Sequence, residues 1–291
     1  MKATYIDYSD TNSFSKTLIA YLNHNEHLAP FYGNKPDIAG FKDQIGKKKG
    51  FAHRELLTKI LTDQYGDLLS SSPEVAQNII RLKDNNTYTV TTGHQLNIFT
   101  GPLYFIFKIV SAIKLAQELK KEFPENEFVP VYWMATEDHD FEEINHTKAF
   151  GKKILWDVES HSATGRMDTA SIVDTVKQYC NTFGLSDNAT ELTELVEEAY
   201  LKGLSLADAT RTFVNSLFKQ YGLIIIDADR KELKKLFAPS MEEDILKEKS
   251  FKAIEKTSEQ LKDKGFATQV HSREINFFYL TDDFRERIVR T

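Results

Sequence analysis

Cysteine is almost missing from this 291-residue sequence: Cys180 stands alone, so no intrachain disulfide can form and a four-thiolate metal site is excluded. That usage fits a reducing compartment, and a cytoplasmic location is the expectation. No long apolar run is present either. The greasiest stretch is interrupted by Lys108 and Lys114, and the opening MKATYIDYSDTNSF lacks the apolar core of an export signal, so neither export nor a membrane span is expected. Positive charge is not in excess: 37 Lys and Arg against 43 Asp and Glu give a formal charge of −6. A pI near 5.8 offers no general attraction to nucleic acid or an anionic membrane, which leaves a small molecule as the expected partner. Neither GxGxxG nor GxxxxGK[ST] occurs, and internal repeats and low-complexity linkers are lacking.

What is there is 41% hydrophobic content, enough to bury the core of one large domain or two ordinary ones. Residues 1–87 read as a mainly helical part of the core domain; Ser72-Pro73-Glu74, for example, places a cap residue before a proline at the first helical position. Residues 88–158 read as a βαβ unit with ligand loops. Tyr88–Thr92 is strand-like, Pro102 opens a helix to about Lys121 with Leu103, Ile106, Phe107, Val110 and Ile113 as its apolar stripe, and Phe128–Trp133 is a second strand. Residues 159–207 read as a helical insertion and 208–291 as the continuation of an α/β core. In that last part a helix starting after Ser205 stops at Gly222, and Leu223–Asp227 follows as a strand buried on both faces. Ser240 with Glu243 suggests a capping box opening a further helix to Gly265. Phe277–Leu280, Thr281-Asp282-Asp283 and Phe284–Val289 read as strand, turn and strand. The expected class is therefore α/β, a parallel sheet core with a helical N-terminal region and a helical insertion. A strand running flush to Thr291 suggests that the chain is truncated.

Two strand ends carry the chemistry. Thr91-Thr92-Gly93-His94-Gln95-Leu96-Asn97-Ile98-Phe99-Thr100-Gly101-Pro102 joins strand to helix through two glycines. Gly93, Thr100 and Gly101 then either shape the connection or let backbone approach a phosphate or carboxylate at the helix start. His94 can carry charge or a proton near neutral pH, Gln95 can orient a substrate through its amide, and Lys108 either reaches the loop or only snorkels. The second loop holds Glu137, Asp138, His139 and Asp140, with Glu142, Glu143 and His146 behind. Converging, such groups can bind a cationic amine, act as its general base, or hold magnesium beside a nucleotide. Glu142 and Glu143 fit a solvated first helical turn, so Asp138, His139 and Asp140 are the expected catalytic set. His139 and His146 match no recognised zinc spacing, and no metal ligand is assigned. Asp227 and Asp229, just beyond a buried strand, either cap the next helix or face a ligand. Cys180 has no adjacent activating motif and reads as an inert buried thiol.

The segments TTGHQLNIFTGPLYFIFK, VPVYWMATEDHDFEEINH, LIIIDADRKELKKLFAP and FATQVHSREINFFYL resemble the bacillithiol-biosynthesis cysteine-adding enzymes, the BshC family, over most of the chain. The resemblance implies a Rossmann-like core related to nucleotidyl transferases, a long coiled coil that this chain stops short of, and a homodimer at full length. It implies a ligase joining the carboxyl of L-cysteine to the amine of glucosaminyl-malate, with ATP and magnesium as a possible co-substrate. On that reading the Gly93–Gly101 loop holds the activated carboxyl or phosphate, while Asp138, His139 and Asp140 orient and deprotonate the amine. His94 departs from the family's usual glutamine at that position; Gln95 carries over directly. The competing expectations are a nucleotidyl transferase or hydrolase on the same core, or a ligand-binding fragment without activity.

Overall fold

The computed structural model describes residues 4–48, 50–160, 162–282 and 284–290. Along the chain come helices α1 (Lys16–Leu22), α2 (Ile38–Lys47), α3 (Arg54–Tyr65) and α4 (Pro73–Arg81), then strand β1 (Thr87–His94), helix α5 (Tyr104–Glu122) and strand β2 (Glu127–Met134). A short helix α6 (Phe141–Ile144) precedes strands β3 (His146–Ala149) and β4 (Lys152–Leu155), followed by α7 (Val173–Cys180), α8 (Asp187–Tyr200) and α9 (Leu206–Phe218). Strand β5 (Ile224–Asp227), helices α10 (Lys231–Lys247) and α11 (Lys249–Asp263), and strands β6 (Phe278–Leu280) and β7 (Arg285–Arg287) complete the order. Among the described residues no helix is long and apolar enough to cross a membrane.

Two compact units result. The larger comprises Gly50–Phe237 with Phe278–Glu286 and is built on a parallel sheet ordered β1-β2-β5. The register pairs His94 with Met134 and Met134 with Asp227, so the carboxyl ends of all three strands lie level. β2 is central yet contains Pro130, which can donate no ladder bond. It is accommodated because β5 pairs with β2 only from Val131 onward. Phe105, Ile109 and Ile113 of α5, Val129 and Val131 of β2, Phe213 and Val214 of α9, and Ile224 and Ile225 of β5 share one buried core. This is the α/β, Rossmann-like arrangement expected, with α5 as the crossover that parallel pairing requires.

Among the described residues, the outer edge of β5 has no strand beside it; side chains of α3 take that place. Tyr65 Oη accepts from the Ile225 N–H at 2.8 Å and donates to the Leu223 carbonyl at 3.2 Å. One residue earlier, Gln64 donates to the Asp227 carbonyl at 2.6 Å and accepts from its N–H at 3.1 Å. An edge that would otherwise invite pairing is thereby closed. Before β5, Gly222 sits at φ 67°, and a Cβ there would lie 2.3 Å from Asn78 Nδ2.

The smaller unit comprises Met1–Lys49, Ala238–Phe277 and Arg287–Thr291. Ala20, Leu28, Leu261 and Phe266 are its buried cluster, and Lys16 Nζ donates to the Gly265 carbonyl at 3.0 Å. Residues 1–87, one helical region in the sequence, thus contribute to both units. The helix expected to open at Ser240 does not: α10 runs through it with Pro239 inside, and the break comes at Glu248, whose φ is 53°. The expected turn residue Asp283, like Thr291 and Met1, lies outside the described residues.

Candidate functional site

The loop after β1 is held by its own backbone geometry. Phe99, Thr100 and Gly101 all have positive φ, at 55°, 68° and 48°. Two non-glycine residues in that region carry strain, which persists only where the surroundings over-determine it. Here the Phe99 N–H donates to Tyr200 Oη at 3.1 Å, and the Phe99 ring stacks on Tyr179 at 4.3 Å. Gly101 admits no side chain, because a Cβ would lie 2.5 Å from that of Asn97. Asn97 in turn donates to the Glu143 carbonyl at 3.2 Å. Gly101 and Thr100 therefore shape the loop, whereas Gly93 lies within β1 and Lys108 Nζ donates to its carbonyl.

Gln95 joins this loop to the one after β2. Its Nε2 donates to Asp138 Oδ2 and to Glu143 Oε2, each at 2.6 Å. Asp138 Oδ1 accepts from the backbone N–H of His139 at 2.7 Å and of Asp140 at 3.3 Å. Burial by itself would raise the Asp138 carboxyl; these bonds, Gln95 foremost, outweigh it and hold the group below its ordinary value. His139 Nδ1 lies 3.6 Å from Asp138 Oδ1, and Arg285 of β7 reaches His139 Nε2 at 3.3 Å. A guanidinium only donates, so a hydrogen bond in that contact requires Nε2 to accept. Asp140 is exposed just before α6 and makes no side-chain cap bond.

The third strand end contributes differently. Asp227 Oδ1 accepts from Thr136 Oγ1 at 2.6 Å and from the Asp229 N–H at 2.9 Å. Asp229 is occupied: Arg166 grips it with Nε at 2.6 Å and Nη2 at 3.0 Å, and Lys234 pairs with it as well. Burial opposes ionisation of Asp229, but these cations prevail and its carboxyl is lowered. Glu137 moves the other way, raised chiefly by burial, with Asp229 and Asp227 adding to the effect. Arg166 also pairs with Asp282 at 2.7 Å.

The fold thus brings Gln95, Asp138, His139 and Asp140 together, and places Glu137, Asp227 and Asp229 at the neighbouring strand end. His94 stands apart. Its ring packs on Tyr104 and Phe105 at 5.0 and 5.1 Å, Nδ1 faces the Gln95 carbonyl at 3.2 Å, and Nε2 is buried without a partner. Burial lowers its pKa, so the ring is neutral at pH 7. Glu143, read from sequence as part of a solvated turn, is in that turn but also binds Gln95. Gln64, Arg166, Arg211 and Arg285 were not singled out by sequence, since no motif marks a residue whose partner is distant in the chain. Among the described residues no group of three or more His, Cys, Asp or Glu is placed to hold a metal ion.

Comparison with known proteins agrees with this architecture. The family model of the bacillithiol biosynthesis BshC N-terminal Rossmann-like domain matches residues 1–291. A Flavobacterium johnsoniae protein named "Putative cysteine ligase BshC" is 46% identical over 292 residues, covering 99% of this chain and 55% of its own length. Proteins of the same name from Flavobacterium psychrophilum and Christiangramia forsetii are 44% and 43% identical, again over 99% of this chain and 55% of theirs. The chain spans about half the length of the curated relatives it matches.

Proposed function

This chain belongs to the BshC family of bacillithiol biosynthesis, and from that membership we propose that it carries the amine-handling half of a cysteine ligase site. The reaction is amide formation between the carboxyl of L-cysteine and the amine of glucosaminyl-malate, with ATP and magnesium as the co-substrate that drives loss of water. The observation that supports it is the bridge from Gln95 to Asp138 and Glu143, which gathers two carboxylates beside His139 at the sheet edge. An ammonium is attracted there. Before its nitrogen can attack, a proton must leave, and in this reading Asp138, His139 and Asp140 orient the amine and take that proton. The N–C bond then forms as the C–O bond to the activating group breaks, and that group leaves with the oxygen.

The test is a mass-spectrometric assay with glucosaminyl-malate, L-cysteine and ATP-magnesium, run on this chain, on a family-length protein extended from it, and on Asp138→Asn in that extended form. Bacillithiol formed by the extended protein and lost in the variant supports the proposal. Nucleotide turnover that ignores cysteine points instead to a transferase or hydrolase. Ligand binding with no product from any form points to a binding role.

A further inference from the structure

A cavity of about 400 Å³ lies at the β5 end, within the larger unit, and is lined by Gln64, Thr136, Arg166, Arg211, Asp227 and Arg230 among others. Its volume falls at the small end of the ~300–1,000 Å³ typical of small-molecule sites. Ten of its twelve lining residues carry polar or charged side chains, and no aromatic ring is among them.

Arg211 and Asp227, of opposite charge, line this space with bonding capacity unused. Arg211 is a cation with only 5% of its side chain exposed. Both its hydrogen bonds leave from Nη1, to the Gln64 carbonyl at 3.1 Å and to Asp208 Oδ1 at 2.8 Å, while Nε is buried with no partner. Asp208 is itself fixed, its other oxygen accepting from Ser205 Oγ at 2.7 Å. The guanidinium is therefore rigidly held, and a buried donor left unmade is unfavourable by ~1–3 kcal/mol until something accepts from it. Asp227 is the counterpart. Oδ1 takes both of its bonds, from Thr136 and Asp229, and Oδ2 has none among the described residues. Gln64 clamps the main chain of Asp227 from both sides and presents its own carbonyl to Arg211, so one residue sets the spacing of the two.

We propose that this cavity binds a small α-amino acid as its zwitterion, the carboxylate on Arg211 and the ammonium on Asp227. A simple anion would leave Asp227 repelling it, and a simple cation would meet Arg211, Arg166 and Arg230; a molecule bearing both charges a few ångströms apart satisfies both walls. The assignment deepens the ligase reading, on which it rests for the identity of the amino acid as L-cysteine. It puts the acyl donor at the β5 end and the amine acceptor at the Gln95–Asp138 end of one row of level strand termini.

Thermal-shift and calorimetric titration of this chain with L-cysteine, cysteamine, 3-mercaptopropionate and L-malate test the proposal. L-cysteine is expected to bind and raise Tm, whereas cysteamine, lacking the carboxylate, and 3-mercaptopropionate, lacking the amine, do not. Asp227→Asn should weaken L-cysteine about tenfold or more in Kd, and Arg211→Lys likewise. Should Arg211→Lys fail to fold, the Asp227 variant and the four-compound series decide alone. Equal binding of cysteamine or 3-mercaptopropionate, tighter binding of L-malate, or no amino-acid binding by folded protein overturns the assignment. Zwitterion binding without ligation by the extended protein would sink the ligase reading and leave the pocket standing; ligation with Asp227→Asn unimpaired would do the reverse.

Discussion

The side-chain amide of Gln95 lies 2.6 Å from Asp138 Oδ2, joining the loop after β1 to the loop after β2 across the carboxyl edge of the sheet. The same nitrogen reaches Glu143, so both amide hydrogens are spent on carboxylates from one neighbouring loop. An amide does this without altering charge. A lysine in its place would cancel one of the two negative charges, and a carboxylate would add a third.

Gln95→Leu should therefore release Asp138 electrostatically. With its largest favourable bond gone, less opposes burial and the carboxyl rises. An acid whose folded pKa is depressed contributes stability above its unfolded value of ~3.9, and that contribution is lost as pH falls through the lower folded value. The variant should thus unfold at higher pH on acidification and lose about 1 kcal/mol at neutral pH. Carboxyl-detected NMR titration of Asp138 checks the direction; an unmoved Asp138 would refute the bridge.

His94 predicts an acid sensitivity of opposite origin. Burial lowers its pKa in the folded state, so between its unfolded value of ~6.5 and the lower folded value the unfolded chain binds the extra proton. Stability then falls as pH drops through about 6.5 and is unaffected by this residue above it. His94→Gln should flatten that part of the profile. Tm followed from neutral pH to about pH 5 in both proteins is the measurement, and identical slopes would count against it.

Much of the fold was legible because its signals are local. The β-branched run before Gly93, the aliphatic run ending at Asp227 and the glycine at 222 each announce themselves within a few residues, and β1, α5 and β5 lie where expected within a residue or two. The stripe expected on α5 is corrected: apolar residues stand on both sides of that helix, so periodicity misplaces the core face, and Leu103, Phe107 and Val110 are exposed while Phe105, Ile109 and Ile113 are buried. Ser240 misled because a capping-box pattern looks the same inside a helix as at its start, and Pro239 was accommodated in α10 rather than ending it. The site was legible in part. Level strand ends could be anticipated from a βαβ pattern, but which carboxylate meets Gln95 depends on strand register. Gln64 and Asp227 are 163 residues apart, and no spacing rule relates them.

Gly165→Ala should disturb the β5 end without touching a charge. A Cβ at Gly165 would sit 2.6 Å from Thr136 Cβ and 2.9 Å from the Thr136 carbonyl, which already accepts the Gly165 N–H at 3.0 Å. Neither backbone can yield easily, so a loss of ~1–3 kcal/mol is expected. Thr136 Oγ1 moves with it and Asp227 loses its shortest donor. Chemical denaturation gives the stability change, and a milder loss in Thr136→Val would separate the steric effect from the lost hydrogen bond.

Tyr200→Phe isolates what holds the loop after β1 in its strained form. Tyr200 lies at the end of α8, far from any carboxylate of the site, and its buried hydroxyl is the acceptor for the Phe99 N–H. Burial drives that phenol's pKa well above the usual range, so it is a neutral acceptor at any physiological pH. Removing the oxygen leaves a buried N–H unsatisfied, at ~1–3 kcal/mol. The stacking of Phe99 on Tyr179 survives, so the core should stay folded. What changes is local: with φ of 55° and 68° at Phe99 and Thr100 no longer enforced, the segment relaxes and Gln95, four residues before Phe99, loses its aim at Asp138. Amide exchange at 95–101 should quicken while exchange in β2 and β5 does not, and in the family-length protein cysteine addition should fall more than the drop in stability explains. Faster exchange spread evenly through the sheet would mean that Tyr200 supports the core at large and not this loop.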